Sequence, residues 1–331
     1  MTRSTPTRPA GRSPTRPSPR VRTLAQRDAR AGQTLLAPTL VVIVLVIVVP
    51  IAWTIVLAFQ DLRLIDIRRR GLMGDFTLDN LTGVFSSPGF YNALTTTLLY
   101  SVVGTVTSIG LGLVAALALR GWFRGRAVVR GFMLLPYVAP VVAVTFVWQT
   151  MLNPQFGIIN EIGASVFGWT NPIAFLTQRS AEVSIFELEF DVPVALLTVM
   201  AFQAWRYFPF AFLFLTARMT AIPAELEEAA RIDGATPTQR FRHVIWPQLL
   251  PVIALLTVLR FIFTFNEFDD IYLLTGGGAG TEVVSVRIYE LLTARGDIGA
   301  ASAQALVLSL VLVILLGIYF RFFGRHLQDA R

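Results

Sequence analysis

Arg260, Thr264 and Glu267 stand at i, i+4 and i+7 of the apolar run VLRFIFTFNEF, a spacing that places all three on one face of a helix. A guanidinium, a hydroxyl and a carboxylate on one face form a hydrogen-bonding surface, and bonds to the charged groups are stronger than those between neutral ones. That chemistry suits recognition of a polyhydroxylated solute. An ionisable side chain inside a membrane span costs about 2.5–3.5 kcal/mol even on insertion scales, so a functional role is the default reading. A structural alternative stays open, in which Arg260 and Glu267 pair with each other or with another helix, or snorkel to opposite interfaces. Upstream, Trp205 and Tyr207 interrupt another apolar run beside Arg206 and Pro209. Their rings can stack on a sugar or anchor the helix at the membrane interface.

Bond-breaking chemistry is not visible in the same way. Glu267, Asp269 and Asp270 are close in sequence, but no second carboxylate cluster, base or nucleophile is set to work with them. An intramembrane enzyme built on these carboxylates is a rival without a constellation, and the chain is not expected to be an enzyme. The absence of cysteine excludes disulfides and thiolate sites. His243 and His326 are too far apart to form a spaced metal pair, so no metal site is expected. The sequence contains no lysine, and all 28 basic residues are arginine. A P-loop needs the lysine of its GK[ST] element, so any ATP-driven work must be done by a separate subunit.

The elements that position these residues follow from composition. Of 331 residues, 54% are hydrophobic and 15% charged, with a mean hydropathy of +0.62, whereas soluble domains are about a quarter charged. The chain therefore reads as an all-α integral membrane protein. Six runs approach or exceed the roughly 20 residues that cross a bilayer, at 35–59, 93–119, 132–152, 194–217, 252–274 and 300–320. Thr97, Ser101, Gly104, Ser108 and Gly112 thread the second, and small or hydroxyl residues favour close helix packing. Pro136 and Pro140 predict a break in the third. The fifth opens into Gly276, Gly277, Gly278 and Gly280, read as a turn. Periodicity does not settle 153–193, with its acidic Glu182, Glu187, Glu189 and Asp191; a short helix on the membrane surface is one reading. Residues 1–30, rich in Ser, Thr, Pro and Arg, read as a disordered basic tail that sets topology, with binding to anionic headgroups as a further role. The apolar run behind the tail is too long, and no small-residue cleavage site follows it, for a signal peptide.

Between the fourth and fifth spans lies a charged island at 222–250. Pro223 suits a helix start and Gly234 a helix stop. Thr236, Pro237 and Gln239 spell a cap, a first residue and a capping box, and Pro247 and Pro251 are expected to end the second helix. Helices of about ten residues are marginal alone in water, so this hairpin needs a surface to dock on. Placing both termini in the cytoplasm gathers the tail, the linker with Arg120, Arg124, Arg126 and Arg130, the hairpin and the basic C-terminal end on one side, as the positive-inside rule asks. Arg68, Arg69 and Arg70 run against it. Topology thus accounts for the net charge of +7, and nucleic acid is not an expected partner.

The sequence EAARIDGA at 228–235, followed by Phe241, Ile245, Pro247 and Pro251, resembles the EAA motif of permease subunits in binding-protein-dependent ABC importers. TARMTAIPAEL before it and FNEFDDIYLLTGGGAGTE after it are similar to the carbohydrate branch, in the style of the maltose and glycerol-3-phosphate permeases. The similarity covers roughly residues 35 to 323. It implies the type I ABC importer permease fold in the cell membrane. It also implies a second homologous permease, two ATPase subunits, an extracellular or lipid-anchored binding protein and a carbohydrate-like substrate among membrane lipid. ATP and Mg2+ would then belong to the ATPase, with no cofactor on this chain. Carried over by position, Glu228, Ala229, Ala230, Asp233 and Gly234 match the element that contacts the ATPase, and Arg260, Thr264 and Glu267 resemble substrate-contacting positions. Taken alone, Glu228 suits an i,i+3 pair with Arg231 worth a few tenths of a kcal/mol. A proton- or ion-coupled secondary transporter is the remaining alternative, and which sugar is carried is not legible.

Overall fold

A computed structural model describes residues 24–185 and 188–328. Residues 1–23, most of the expected tail, lie outside the described residues. The chain divides into a unit ending at Trp53 and a second from Thr54 onward.

Helix α1 (Leu24–Ile43) runs through a π turn at Val44–Val48 into α2 (Val49–Ala58). Its start at Leu24 corrects the tail boundary placed at residue 30. Leu24, Ala25, Gln26, Arg27 and Ala29 are favourable helix formers, and a helix already nucleated in the span propagates into them at little cost. Over residues 35–52 the apolar side chains are exposed, Leu35 by 80% and Val46 by 67%, whereas Ala58 at the end of α2 is fully buried.

In the second unit, β1 (Gln60–Asp61) pairs antiparallel with β2 (Asp75–Phe76) around α3 (Ile67–Arg70), and α4 (Asp79–Ser86) follows. Helix α5 (Pro88–Ala118) begins before the expected residue 93. The Ser87 hydroxyl accepts the Phe90 N–H at 3.4 Å, and Pro88 takes a first-turn position where its missing N–H costs nothing. Helices α6 (Arg126–Val138) and α7 (Val141–Met151) are bent by 96° at Ala139 and Pro140, the break that the two prolines predict. The unsettled segment holds α8 (Ile158–Phe167) and a hairpin of β3 (Ala181–Ile185) with β4 (Leu188–Val192), in which Ala181 faces Val192. Then come α9 (Val194–Thr220), α10 (Ala224–Ile232), α11 (Pro237–Arg240), a π turn at Phe241–Ile245, α12 (Trp246–Phe265), α13 (Asp269–Thr275), α14 (Val284–Thr293) and α15 (Ile298–Gln328). Among the described residues five helices are long and apolar enough to cross a membrane, and six if the bent pair counts as one span.

Two boundaries differ from expectation. Pro247 and Pro251 do not stop the hairpin's second helix, which continues from Pro237 to Phe265. Pro247 falls in the first turn of α12, the Trp246 N–H bonds back to Phe241 O across the π turn, and the carbonyl freed by Pro251 is tolerable in a packed membrane helix. The fifth span ends at Phe265 instead of 274. The Asn266 side chain donates to Ile262 O at 2.8 Å and the Glu267 N–H to Thr264 O at 3.2 Å. Asp269 and Asp270 then open α13, where acidic residues suit the positive end of the helix dipole.

Packing centres on α5 against α9. A Cβ at Gly112 would lie 2.6 Å from Ala211 Cβ, and one at Gly104 would lie 2.0 Å from Gln203 Oε1, so only glycine permits this approach. Thr97, Ser101, Thr105 and Ser108 are buried along the same stripe. The Thr97 hydroxyl accepts the Val284 N–H at 3.0 Å, tying the start of α14 to α5. Apolar clusters on either side, with Leu215 and Leu249 in one and Phe265, Val284 and Ala303 in another, fix α12 among its neighbours.

Candidate functional site

The break after α12 gathers polar side chains of α9, α12 and α13, with Glu267 at the break itself. Gly104 of α5 leaves room for Gln203 of α9, whose Nε2 donates to Thr264 Oγ1 at 3.0 Å. The same oxygen accepts Arg260 Nη2 at 3.0 Å. Arg260 is only 2% exposed, and its guanidinium carbon sits 4.1 Å from the centroid of the Tyr207 ring, a cation–π contact. The Tyr207 hydroxyl donates to Glu267 Oε2 at 3.1 Å. Tyr207 therefore separates the two charges, its face on the cation and its hydroxyl on the carboxylate. Among the described residues Arg260 and Glu267 form no ion pair with each other, and the burial of Arg260 rules out snorkelling. One helix turn away, Arg206 of α9 is ion-paired with Asp270 of α13, whose side chain is fully buried.

Beside this network lies a cavity of about 360 Å3 walled by Tyr137, Tyr207, Phe210, Arg260, Asn266 and Glu267, with Phe263, Phe268 and Asp269 completing it. Aromatic faces with a few convergent charged and amide groups are the composition of a site that orients a small polar solute. Among the described residues Tyr100 Oη, Gln203 Oε1, Arg206 Nε, Arg260 Nε and Asp270 Oδ2 are buried without a hydrogen-bond partner, so the polar layer retains unused capacity where buried groups are ordinarily satisfied.

The structure brings Tyr207, Arg260, Thr264 and Glu267 together and leaves Trp205 out. The Trp205 ring packs 5.5 Å from Trp148 and 6.1 Å from Phe202 but is itself 36% exposed, and it does not wall the cavity. Sequence reasoning missed Gln203, the Arg206–Asp270 pair and Tyr137. Applying the intramembrane-charge argument to Arg206 as well as Arg260 would have marked Arg206, though not its partner Asp270.

The hairpin is built by its own hydrogen bonds. Gly234 has φ 78°, its N–H reaches Arg231 O at 3.0 Å, and the Ala235 N–H reaches Ala230 O at 2.9 Å. The expected capping box is present between Thr236 and Gln239. Glu227 is ion-paired with Arg120 of the linker. Glu228, Ala229, Asp233 and Gly234 are exposed, Ala230 is half-buried, and among the described residues Glu228 makes no ion pair with Arg231. Ile232, at the tip, is 87% exposed, an apolar side chain held out with no neighbour to cover it.

Membrane-length helices around a polar cavity, with a structured hairpin outside the spans, define an α-helical permease. Residues 183–329 match the family described as binding-protein-dependent transport system inner membrane component. The chain is 33% identical over 285 residues to the inner membrane ABC transporter permease protein YcjO of Escherichia coli (strain K12), covering 85% of this chain and 91% of the relative. It is 32% identical over 312 residues to the trehalose/maltose transport system permease protein MalF of Thermococcus litoralis, covering 92% and 97%. The chain belongs to this family of ABC transporter permeases. Its fold matches a crystal structure of a bacterial ABC transporter involved in the import of the acidic polysaccharide alginate, with a TM-score of 0.74 over 91% of this chain and 96% of that one, at 22% identity.

Proposed function

We propose that this permease forms part of the membrane pathway of an ATP-driven importer for a sugar or sugar-like solute handed over by an extracellular binding protein. A second homologous permease completes the pathway, and two ATPase subunits dock on the hairpins from the cytoplasm, where both termini of this chain lie. Family membership and a relative named for trehalose and maltose support the solute class. The observation that carries the reading is the cavity at the α12 break, where Tyr137 and Tyr207 offer aromatic faces and Glu267 and Asn266 offer hydrogen bonds beside them. ATP-driven closure of the partner moves the hairpins, and the spans follow because the partner binds one arrangement better than the other.

Glu267→Gln and Thr264→Ala test the cavity. Removing a hydrogen bond to a charged group costs about 1.5–3 kcal/mol, so each variant is expected to lower sugar uptake about tenfold in vesicles while the assembled complex stays intact. Wild-type uptake in both would remove this cavity from the pathway.

A further inference from the structure

A second polar cavity, of about 230 Å3, opens where the end of α5, the start of α6 and the last turns of α9 meet. Arg120, Arg126, Arg130, Thr216, Met219 and Thr220 line it, and no carboxylate does. Glu227 of α10 neutralises Arg120 from outside the wall. Arg126 and Arg130 bond only to carbonyls, of Gly121 at 3.5 Å and Leu119 at 3.0 Å, and among the described residues neither has an acidic partner. Two cations at i and i+4 destabilise a helix by a few tenths of a kcal/mol, so this unopposed pair favours an external anion. Spare capacity lies in the same place, because Arg130 Nε and the Thr216 hydroxyl are buried without a partner among the described residues. The amino end of α6 begins at Arg126, behind Gly125, and adds its own preference for negative charge.

The surroundings select the anion. Along α6 beyond the cavity, Val128, Phe132 and Leu135 are 62%, 66% and 56% exposed, and Trp122 in the linker is 86% exposed. That is an apolar flank with an aromatic side chain at its polar end, as at a membrane interface. We infer that this cavity holds the phosphate headgroup of an anionic phospholipid, with the acyl chains lying along α6. Basic pockets between membrane helices at the cytoplasmic surface recognise such headgroups through this chemistry. The inference rests on the membrane topology and is independent of which solute is carried.

Native mass spectrometry of the full chain in detergent, titrated with dioleoylphosphatidylglycerol, dioleoylphosphatidylcholine or inorganic phosphate, tests it. The wild type is expected to prefer phosphatidylglycerol. Arg126→Gln with Arg130→Gln should weaken that lipid about fivefold per arginine removed and leave phosphatidylcholine binding unchanged, whereas Arg126→Lys with Arg130→Lys should retain most of the preference. Thr216→Val, a milder change, should shift the affinity in the same direction. An unaltered preference in the glutamine variant overturns the site. So does phosphate binding there without competition from the lipid, which would mark a free-anion site. Loss of a copurifying ATPase with lipid binding intact overturns it as well, in favour of a protein contact.

Discussion

Gly234→Pro is expected to reduce solute uptake to background while the chain still inserts and the partner ATPase still hydrolyses ATP. Gly234 sits at φ 78° and donates its N–H to Arg231 O at 3.0 Å. Proline fixes φ near −65° and has no N–H to give, so the corner between α10 and α11 must open and the two helices lose their relative direction. Glu228→Ala acts differently. It keeps the corner and removes an exposed carboxylate that among the described residues makes no ion pair, leaving it free for a basic residue of the docking surface. Truncating one member of a charge pair that docking buries costs about 2–5 kcal/mol, enough to lower uptake at least about tenfold. The measurement is sugar uptake alongside ATP hydrolysis in the same vesicles. Coupled activity at wild-type level in both variants would remove the hairpin from its assigned role.

Asp270→Ala should be the most destabilising single change in the helix core. It leaves the Arg206 guanidinium, whose side chain is only 13% exposed, without its counter-charge among α9 and α13. Removing one partner of a buried pair costs about 3–5 kcal/mol, whereas replacing both with apolar residues of similar volume is often neutral. Thermal unfolding of the purified chain should therefore show a large drop for Asp270→Ala and recovery of most of it in Arg206→Met with Asp270→Leu. A double variant as unstable as the single one would show that the pair is held for reasons other than charge compensation.

Much of this architecture was legible because local signals and packing agree. The prolines at 136 and 140 announce the 96° bend, the Thr236–Gln239 box announces α11, and the i, i+4, i+7 spacing puts Arg260 and Thr264 on one face with Glu267 just past the helix end. The misreadings arose where context outweighs local preference. Pro247 and Pro251 look like stops, yet a π turn and the neighbouring helices carry the chain through them. Trp205 and Tyr207 are two residues apart and have different surroundings, one an exposed ring against Trp148 and Phe202 and the other a wall of the cavity, a separation that composition cannot reveal. The β3–β4 hairpin has a local signal inside a segment whose overall periodicity is mixed. Val183, Ile185, Leu188, Phe190 and Val192 carry the apolar period-2 signal of paired strands in the sequence. The Arg206–Asp270 pair joins residues far apart in the chain and becomes evident only once α13 folds back against α9.

The central claim is that work reaches this lysine-free chain through its hairpin from an ATPase, not through a proton or ion gradient. Uptake of a radiolabelled sugar into vesicles holding the assembled importer, with binding protein outside and ATP inside, tests it most directly. Uptake is expected to require ATP and the binding protein and to survive an uncoupler. Uptake that proceeds without ATP and collapses when the uncoupler is added would contradict the account.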